Sequence, residues 1–263
     1  MSDTLAKILA NKAEEVKKAK AKSPLNSLQI LAEDADPPRD FLQALSNKRQ
    51  FHTVIAECKK KSPSRGILKA DYNAEAIACA YERGGAAAIS VLTDEVYFGG
   101  NLDDLVKVKD ATRIPVLRKD FIIDEYQIYE ARKCGADTFL LLAGTLDAVK
   151  LQYFIEIGRE LGMEPLVESH NDKDLEIALK TDAKILGINN RNLKTMVVDL
   201  EHSKKLVAQL AKEHPDRILI CESGIKTKAD MVDAEKAGFH GFLIGETLIS
   251  TPSPGDTLKA LLS

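Results

Sequence analysis

No run of apolar residues in this chain approaches the roughly 20 needed to cross a bilayer as a helix. The longest, such as TFLLLAG at 138–144, are far shorter. The N-terminus, MSDTLAKILANKAEEVKKAKAK, lacks the uninterrupted apolar stretch of a secretory signal. It also carries acids and no arginine, unlike an organelle transit peptide. Cysteine is scarce: Cys58, Cys79, Cys134 and Cys221 form no C-x-x-C pair. This speaks against a disulfide framework and fits a reducing cytosol. The five histidines (His52, His170, His202, His214, His240) include no H-E-x-x-H or other ligand spacing, so no metal is expected. Charge of one sign is lacking too. With 37 basic and 40 acidic residues the net charge is -3, which points to neither a nucleic-acid nor an anionic-membrane partner. A soluble cytoplasmic protein is expected.

What is present is a rhythm. After about residue 50, short apolar runs alternate with amphipathic segments. The runs are TVIAE at 53–57, AAISVL at 87–92, PVLRKD at 115–120 and TFLLLA at 138–143. They continue with EPLVES at 164–169, KILGIN at 184–189, RILICES at 217–223 and GFLIGE at 241–246. They are continuously apolar, as strands buried on both faces of a parallel sheet are. The segments between carry apolar residues at helical spacing, for instance Ala76, Ile77 and Ala80, or Val149, Leu151, Phe154 and Ile155. Gly84, Gly135, Gly162 and Gly238 stand where helix C-caps are expected. Eight such units in 263 residues predict an α/β fold of the (β/α)8 TIM-barrel type. A doubly wound open sheet is the competing architecture, but its G-x-G-x-x-G turn is missing.

Residues 1–50 break the rhythm. Leu5, Ile8, Leu9 and Val16 predict one amphipathic helix, followed by a Lys/Ala-rich stretch; SPLNS and DADPPRD read as loops, and 41–47 as a short helix. This segment is expected to be an N-terminal helical extension packed on a barrel at 51–263, a single domain overall, because it is too short and polar to hold its own core.

Barrel chemistry sits at the C-terminal ends of the strands. Glu57 and Lys59, Lys119, Glu168, Asn189 and Arg191, and Glu222 each follow a buried run and would converge on one rim. Any one of them alone reads equally well as a solvated loop residue or a structural ion pair. Acids and bases from several strands together are what mutual acid–base tuning needs. Lys119 at a strand end would also suit an imine-forming aldolase or isomerase. A barrel kept only as a binding scaffold has no use for such a set. Lys60 and Lys61 read as mostly solvated. Gly224 and Gly245, after the last two strands, leave backbone N–H groups open to an anion, the usual phosphate position of this architecture; tight turns are the plainer reading. Glu246 beside it would repel a phosphate, so its side chain is expected to turn away. Phe98, Phe121, Leu140 and Leu193 offer an apolar wall, or ordinary packing.

Several motifs together resemble the indole-3-glycerol phosphate synthase family. They are VIAECKKKSPSRG at 54–66, LRKDFI at 117–122, GADTFLLL at 135–142, MEPLVE at 163–168, GINNRNL at 187–193, ESGI at 222–225 and FLIGE at 242–246. The resemblance implies a carboxy-lyase of tryptophan biosynthesis that uses no cofactor. Its substrate would be 1-(2-carboxyphenylamino)-1-deoxyribulose 5-phosphate, taken through ring closure, decarboxylation and dehydration. It implies Lys119 as general acid, Glu168 as general base, and Glu57 and Lys59 as partners in proton transfer, with Lys59 also bridging the substrate's anionic groups. Asn189 and Glu222 would orient these groups. Ser62 and Arg191 would bind near the carboxylate. Ser223, Gly224, Gly245 and Glu246 would hold the phosphate, and Phe98, Phe121, Leu140 and Leu193 the aromatic ring. Glu246 and Lys61 depart from the Ser or Thr and the small residue that many relatives carry there. Protein partners are left open.

Overall fold

The computed structural model describes residues 3–46, 52–192 and 197–263. Eight parallel strands close into a barrel: β1 (Val54–Cys58), β2 (Ala88–Leu92), β3 (Val116–Lys119), β4 (Thr138–Leu142), β5 (Leu166–Ser169), β6 (Ile185–Asn189), β7 (Ile218–Glu222) and β8 (Gly241–Ile244). Each strand pairs with its neighbours in sequence, and β8 closes on β1 through Val54–Phe242, Ile55–Leu243 and Ala56–Ile244. Seven fall within the expected runs, and β1 runs one residue past its own, to Cys58. A two-residue ribbon, Lys61–Ser62 against Gly66–Ile67, decorates the loop after β1.

Helices cover the outside: α4 (Ala74–Arg83), α5 (Glu95–Phe98), α6 (Leu102–Ala111), α7 (Tyr126–Lys133), α8 (Ala148–Glu160), α9 (Asp172–Leu179), α10 (Leu200–Glu213), α11 (Lys228–Ala237), α12 (Glu246–Ile249) and α13 (Pro254–Leu262). Strand residues alternate between two cores. Val54, Ala56, Val91, Val116, Leu141, Val167, Leu186, Leu219 and Phe242 face the helices. Ile55, Ala88, Leu117, Leu140, Leu166, Ile185, Ile220 and Leu243 fill the barrel. This two-sided burial is why the runs are continuously apolar.

Gly84 caps α4 as expected, with one refinement of the turn that follows it. The turn after α4 takes its left-handed residue at Gly85 (φ 97°), while Gly84 keeps a right-handed φ of -74°. The helix ends at Gly84, so the following residue must make the reversal. The N-terminal region also holds more helix than the sequence suggested. α1 (Asp3–Lys22) runs unbroken through the Lys/Ala stretch, and α2 (Leu25–Glu33) begins within the SPLNS stretch read as loop and continues through residues given no element. Pro24 stands just before the first turn of α2, where a missing N–H costs nothing, and Leu28 and Ala32, four apart, are buried, with the helix packed on α7. α3 (Phe41–Ser46) sends Phe41 and Leu45 to the mouth of the barrel core at its N-terminal end.

The buried face of α1 is Ile8, Lys12 and Val16, at i, i+4 and i+8. A lysine in the middle of that stripe needs partners. Its Nζ lies 2.9 Å from Asp120, 3.1 Å from Asp94 and 2.6 Å from Glu15. Burial opposes its charge, but Asp120, Glu15 and Asp94 prevail and hold its pKa above the ordinary value. Asp120 also accepts from Thr93 (2.7 Å), Arg118 (3.1 Å) and the backbone N–H of Phe121 (2.8 Å). Asp94 caps α5 through the N–H groups of Tyr97 and Phe98. One lysine of the extension thus joins the C-terminal ends of β2 and β3. Lys12→Met leaves two buried aspartates short of a cation, so urea unfolding is expected to show a loss of about 3–5 kcal/mol. A loss below about 1 kcal/mol, the scale of a surface pair, would remove Lys12 from this role.

Candidate active site

Side chains in such barrels stack in layers of four drawn from alternate strands. The layer of Ile55, Leu117, Leu166 and Ile220 comes from β1, β3, β5 and β7. Two residues further along the same strands stand Glu57, Lys119, Glu168 and Glu222. The top layer of the barrel is therefore built as the others are, with charges in place of aliphatics. The three carboxylates are almost wholly buried.

Lys119 is the centre of this layer. Its Nζ donates to Glu168 Oε2 at 3.0 Å and Glu222 Oε2 at 3.1 Å, and lies 4.0 Å from Glu57 Oε2. Lys59, just past β1, closes on the other oxygen of Glu57. Burial would push the Lys119 ammonium down, yet Glu168, Glu222 and Glu57 outweigh it and hold its pKa above the ordinary lysine value. Burial likewise opposes ionisation of Glu168, but Lys119, then His170 and Asn189, keep its pKa well below the usual carboxylate range. Glu222 goes the other way. Burial first, then the Glu168 charge, push it up to about 8 against the pull of Lys119. One acid of the pair is ionised and its neighbour keeps its proton near neutrality.

Glycines make the room. A Cβ at Gly187 would collide with Glu222 Oε1, and one at Gly245 with Glu57 Oε1. Gly187 follows no cap or turn pattern, so it drew no notice in the sequence. Glu222 Oε1 is buried with no hydrogen-bond partner among the described residues.

A second shell of polar contacts ties the rim together. Asn189 donates to Glu168 Oε1 at 2.7 Å and accepts from Ser223 Oγ (2.9 Å) and the Arg191 N–H (3.0 Å). Asn190 donates to the carbonyls of Glu222 and Ser223 at 2.7 and 2.8 Å. That bond accompanies an unusual backbone: Ser223 has φ 64° and Gly224 φ 92°. Gly245 begins α12, and the Glu246 side chain reaches away to Arg65 (2.9 Å) and Arg191 (3.4 Å). Neither Arg65 nor Asn190 was singled out from the sequence, since nothing in an isolated Arg or Asn reports what the fold brings to it.

The apolar candidates divide. The Phe98 and Phe121 rings meet at 6.0 Å between centroids, tilted by 40°. Leu140 lies inside the barrel, in register with Leu166 and so below the charged layer. Leu142, which the sequence reading passed over, is the one in register with Glu168. Leu193 lies outside the described residues. Ser62 sits in the ribbon, where its Oγ accepts from the Arg65 N–H at 3.2 Å. Lys61 is not solvated as expected: its Nζ donates to the Val96 carbonyl at 2.8 Å, linking the first loop to the second. Lys60 is exposed. Among the described residues no group of three or more His, Cys, Asp or Glu is placed to hold a metal, and no helix is long and apolar enough to cross a membrane.

A closed barrel whose top layer is a lysine among carboxylates is the build of a barrel enzyme working by acid–base chemistry. Comparison with known proteins agrees. The family model described as indole-3-glycerol phosphate synthase matches residues 5–261, and the chain belongs to that family. It is 46% identical over 265 residues to the indole-3-glycerol phosphate synthase of Laribacter hongkongensis, covering 100% of both chains. It is 44% identical over 251 residues to that of Neisseria meningitidis serogroup B, covering 95% of each. Among solved structures, the N-acetylmannosamine-6-phosphate 2-epimerase of Clostridium perfringens superposes with TM-score 0.57 at 15% identity, over 74% of this chain and 86% of that one. A designed cube-shaped protein cage superposes with TM-score 0.60 at 14% identity, over 81% and 70%. These two likenesses concern the fold alone.

The raised Glu222 carboxyl has a stability consequence. The folded state holds this proton more tightly than the unfolded chain, so the stability it contributes is complete below the ordinary value of 4.5 and is lost as pH rises through about 8. Glu222→Gln cannot ionise. Its unfolding free energy, relative to the parent, is expected to rise between about pH 5 and about pH 9. A difference that stays flat over that window means that Glu222 is already ionised at neutrality.

Proposed function

We propose that this chain converts 1-(2-carboxyphenylamino)-1-deoxyribulose 5-phosphate into indole-3-glycerol phosphate, with release of carbon dioxide and water. The observation that carries the reading is the single ammonium of Lys119 held between Glu168 and Glu222 on the floor of an open barrel end.

In this reading the ring carbon bearing the carboxylate attacks the sugar carbonyl. A carbon–carbon bond forms, the carbonyl electron pair moves to oxygen, and that oxygen takes a proton from Lys119. The carboxylate then leaves as carbon dioxide, and its bonding electrons restore the aromatic ring. Finally the new hydroxyl departs as water while Glu168 takes the proton whose loss completes the pyrrole. Lys119 is charged before substrate arrives. Its high pKa rests on the carboxylates around it, so moving from Glu168 to the substrate oxygen weakens its hold on the proton. Glu57 and Lys59 form the second acid–base pair, which serves the dehydration, and Lys59 also faces the anionic groups. Asn189 and Glu222 orient the base and the sugar hydroxyls.

Phe98 and Phe121, with Leu140 of the barrel interior, receive the aromatic ring; Leu193, the fourth residue assigned to it, lies outside the described residues. Ser62 and Arg191 are assigned to the ring's carboxylate. Ser223, Gly224, Gly245 and Glu246 hold the phosphate through backbone N–H groups, the Glu246 side chain being drawn off by Arg65 and Arg191. The site needs no cofactor for these steps. A cytoplasmic location, with no nucleic-acid partner, accords with the charge balance and the scarcity of cysteine.

Lys119→Met is expected to lower kcat by at least about 10²-fold in a fluorescence assay of product formation, the scale of losing a general acid. A variant keeping most of the activity would refute that role. The rival reading, an imine on Lys119, predicts a covalent adduct on borohydride treatment with substrate. None is expected, and an adduct at Lys119 would overturn the acid–base mechanism.

A further inference from the structure

His170 lies two residues beyond Glu168, at the start of the loop that leads into α9. Neither the sequence motifs nor the proposed mechanism gives it a task. Its Nε2 lies 2.8 Å from Glu168 Oε1, and its side chain is 10% exposed. The backbone places it: the His170 N–H donates to Asp174 on α9 at 3.2 Å, and Asn171 caps that helix.

Which hydrogen points where follows from the neighbours. Asn189 Oδ1 already accepts from Ser223 Oγ and the Arg191 N–H, so its amide nitrogen faces Glu168. That same nitrogen stands 3.3 Å from His170 Nε2. A carboxylate oxygen only accepts, so the 2.8 Å contact to Glu168 requires a hydrogen on Nε2. Glu168 then has every bond to its two oxygens accounted for by a donor: His170 and Asn189 on Oε1, Lys119 on Oε2.

We infer that His170 is a positioning residue for Glu168, its Nε2–H holding Oε1 so that the buried carboxylate stays ionised and aimed when Lys119 leaves Oε2 for the substrate. The inference rests on the reading of Glu168 as the base. At the moment Lys119 turns to the substrate, Glu168 loses its nearest cation while Glu222 still crowds it. Asn189 alone is a neutral donor. A second donor on Oε1 is what keeps the proton off the base until it is needed. The groups facing this carboxyl are Lys119 from β3, Glu222 from β7 and His170 itself. Glu57 of β1 stands on the other side of Lys119 with Lys59 against it, and Asp174 meets the backbone of His170.

The test is the pH profile of kcat/KM for His170→Leu and His170→Gln, the glutamine amide nitrogen taking the place of Nε2. The acidic limb is expected to move up by about one pH unit in His170→Leu, with kcat near neutrality down about tenfold and KM little changed, and to return toward the parent in His170→Gln. A limb that stays put in His170→Leu, or a glutamine variant no better than leucine, overturns the inference. ¹⁵N NMR of the imidazole in the parent protein gives a check independent of any His170 variant. A proton on Nε2 whose signal shifts in Glu168→Gln supports the contact, and a bare Nε2 overturns it. If Glu168→Gln itself keeps both activity and acidic limb, it is the base assignment that fails, and that outcome is told apart from the others by the Glu168 variant alone.

Discussion

A single ammonium among three buried carboxylates organises the upper end of this barrel. Charges taken out of water are costly unless they are paired and hydrogen-bonded, and like charges at close range cannot all remain ionised. Lys119 meets the first requirement by donating to Glu168 and Glu222 at 3.0 and 3.1 Å while facing Glu57. Glu222 meets the second by keeping its proton. The two acids are thereby pushed in opposite directions, Glu168 toward its ionised form and Glu222 toward its protonated one, although their sequence contexts look alike. The split arises from geometry: Glu168 has Asn189 and His170 on its far oxygen, whereas the far oxygen of Glu222 has no partner.

The rest of the structure serves that layer. Its four members follow the aliphatic layer below them at a spacing of two, so barrel closure delivers their side chains to one place without any special loop. Gly187 and Gly245 leave the space that the carboxylates of Glu222 and Glu57 occupy. From outside, Lys12 on α1 pins Asp94 and Asp120. Asp120 is the residue after Lys119, and Asp94 caps the short helix carrying Phe98. One buried lysine of the N-terminal helix is therefore tied to the residue that follows Lys119 and to the cap of the helix that carries Phe98.

The eight strands were legible because burial on both faces leaves no alternation to mask them. Glu57, Lys119, Glu168 and Glu222 were legible because each interrupts such a run at its end, and family resemblance supplied their proposed roles. The misses share a cause. α2 is short and begins in the turn-like SPLNS stretch, and only Leu28 and Ala32 of it are buried where it lies on α7. Lys12 reads as one more lysine in a Lys-rich helix until its place in the Ile8–Val16 stripe is matched to two aspartates far along the chain. His170 follows a strand end, as loop residues do by default, and nothing local reports its approach to Glu168.

The sequence by itself determined the period of the strands, the positions of the charges along them and the family to which those motifs belong. Those properties are carried by residue type and spacing alone. Tertiary structure decided which acid is ionised, which lysine is clamped and which glycines are spaces rather than turns. Each of those outcomes depends on groups tens of residues apart meeting in a dry interior, where a few ångströms set the balance between burial and pairing.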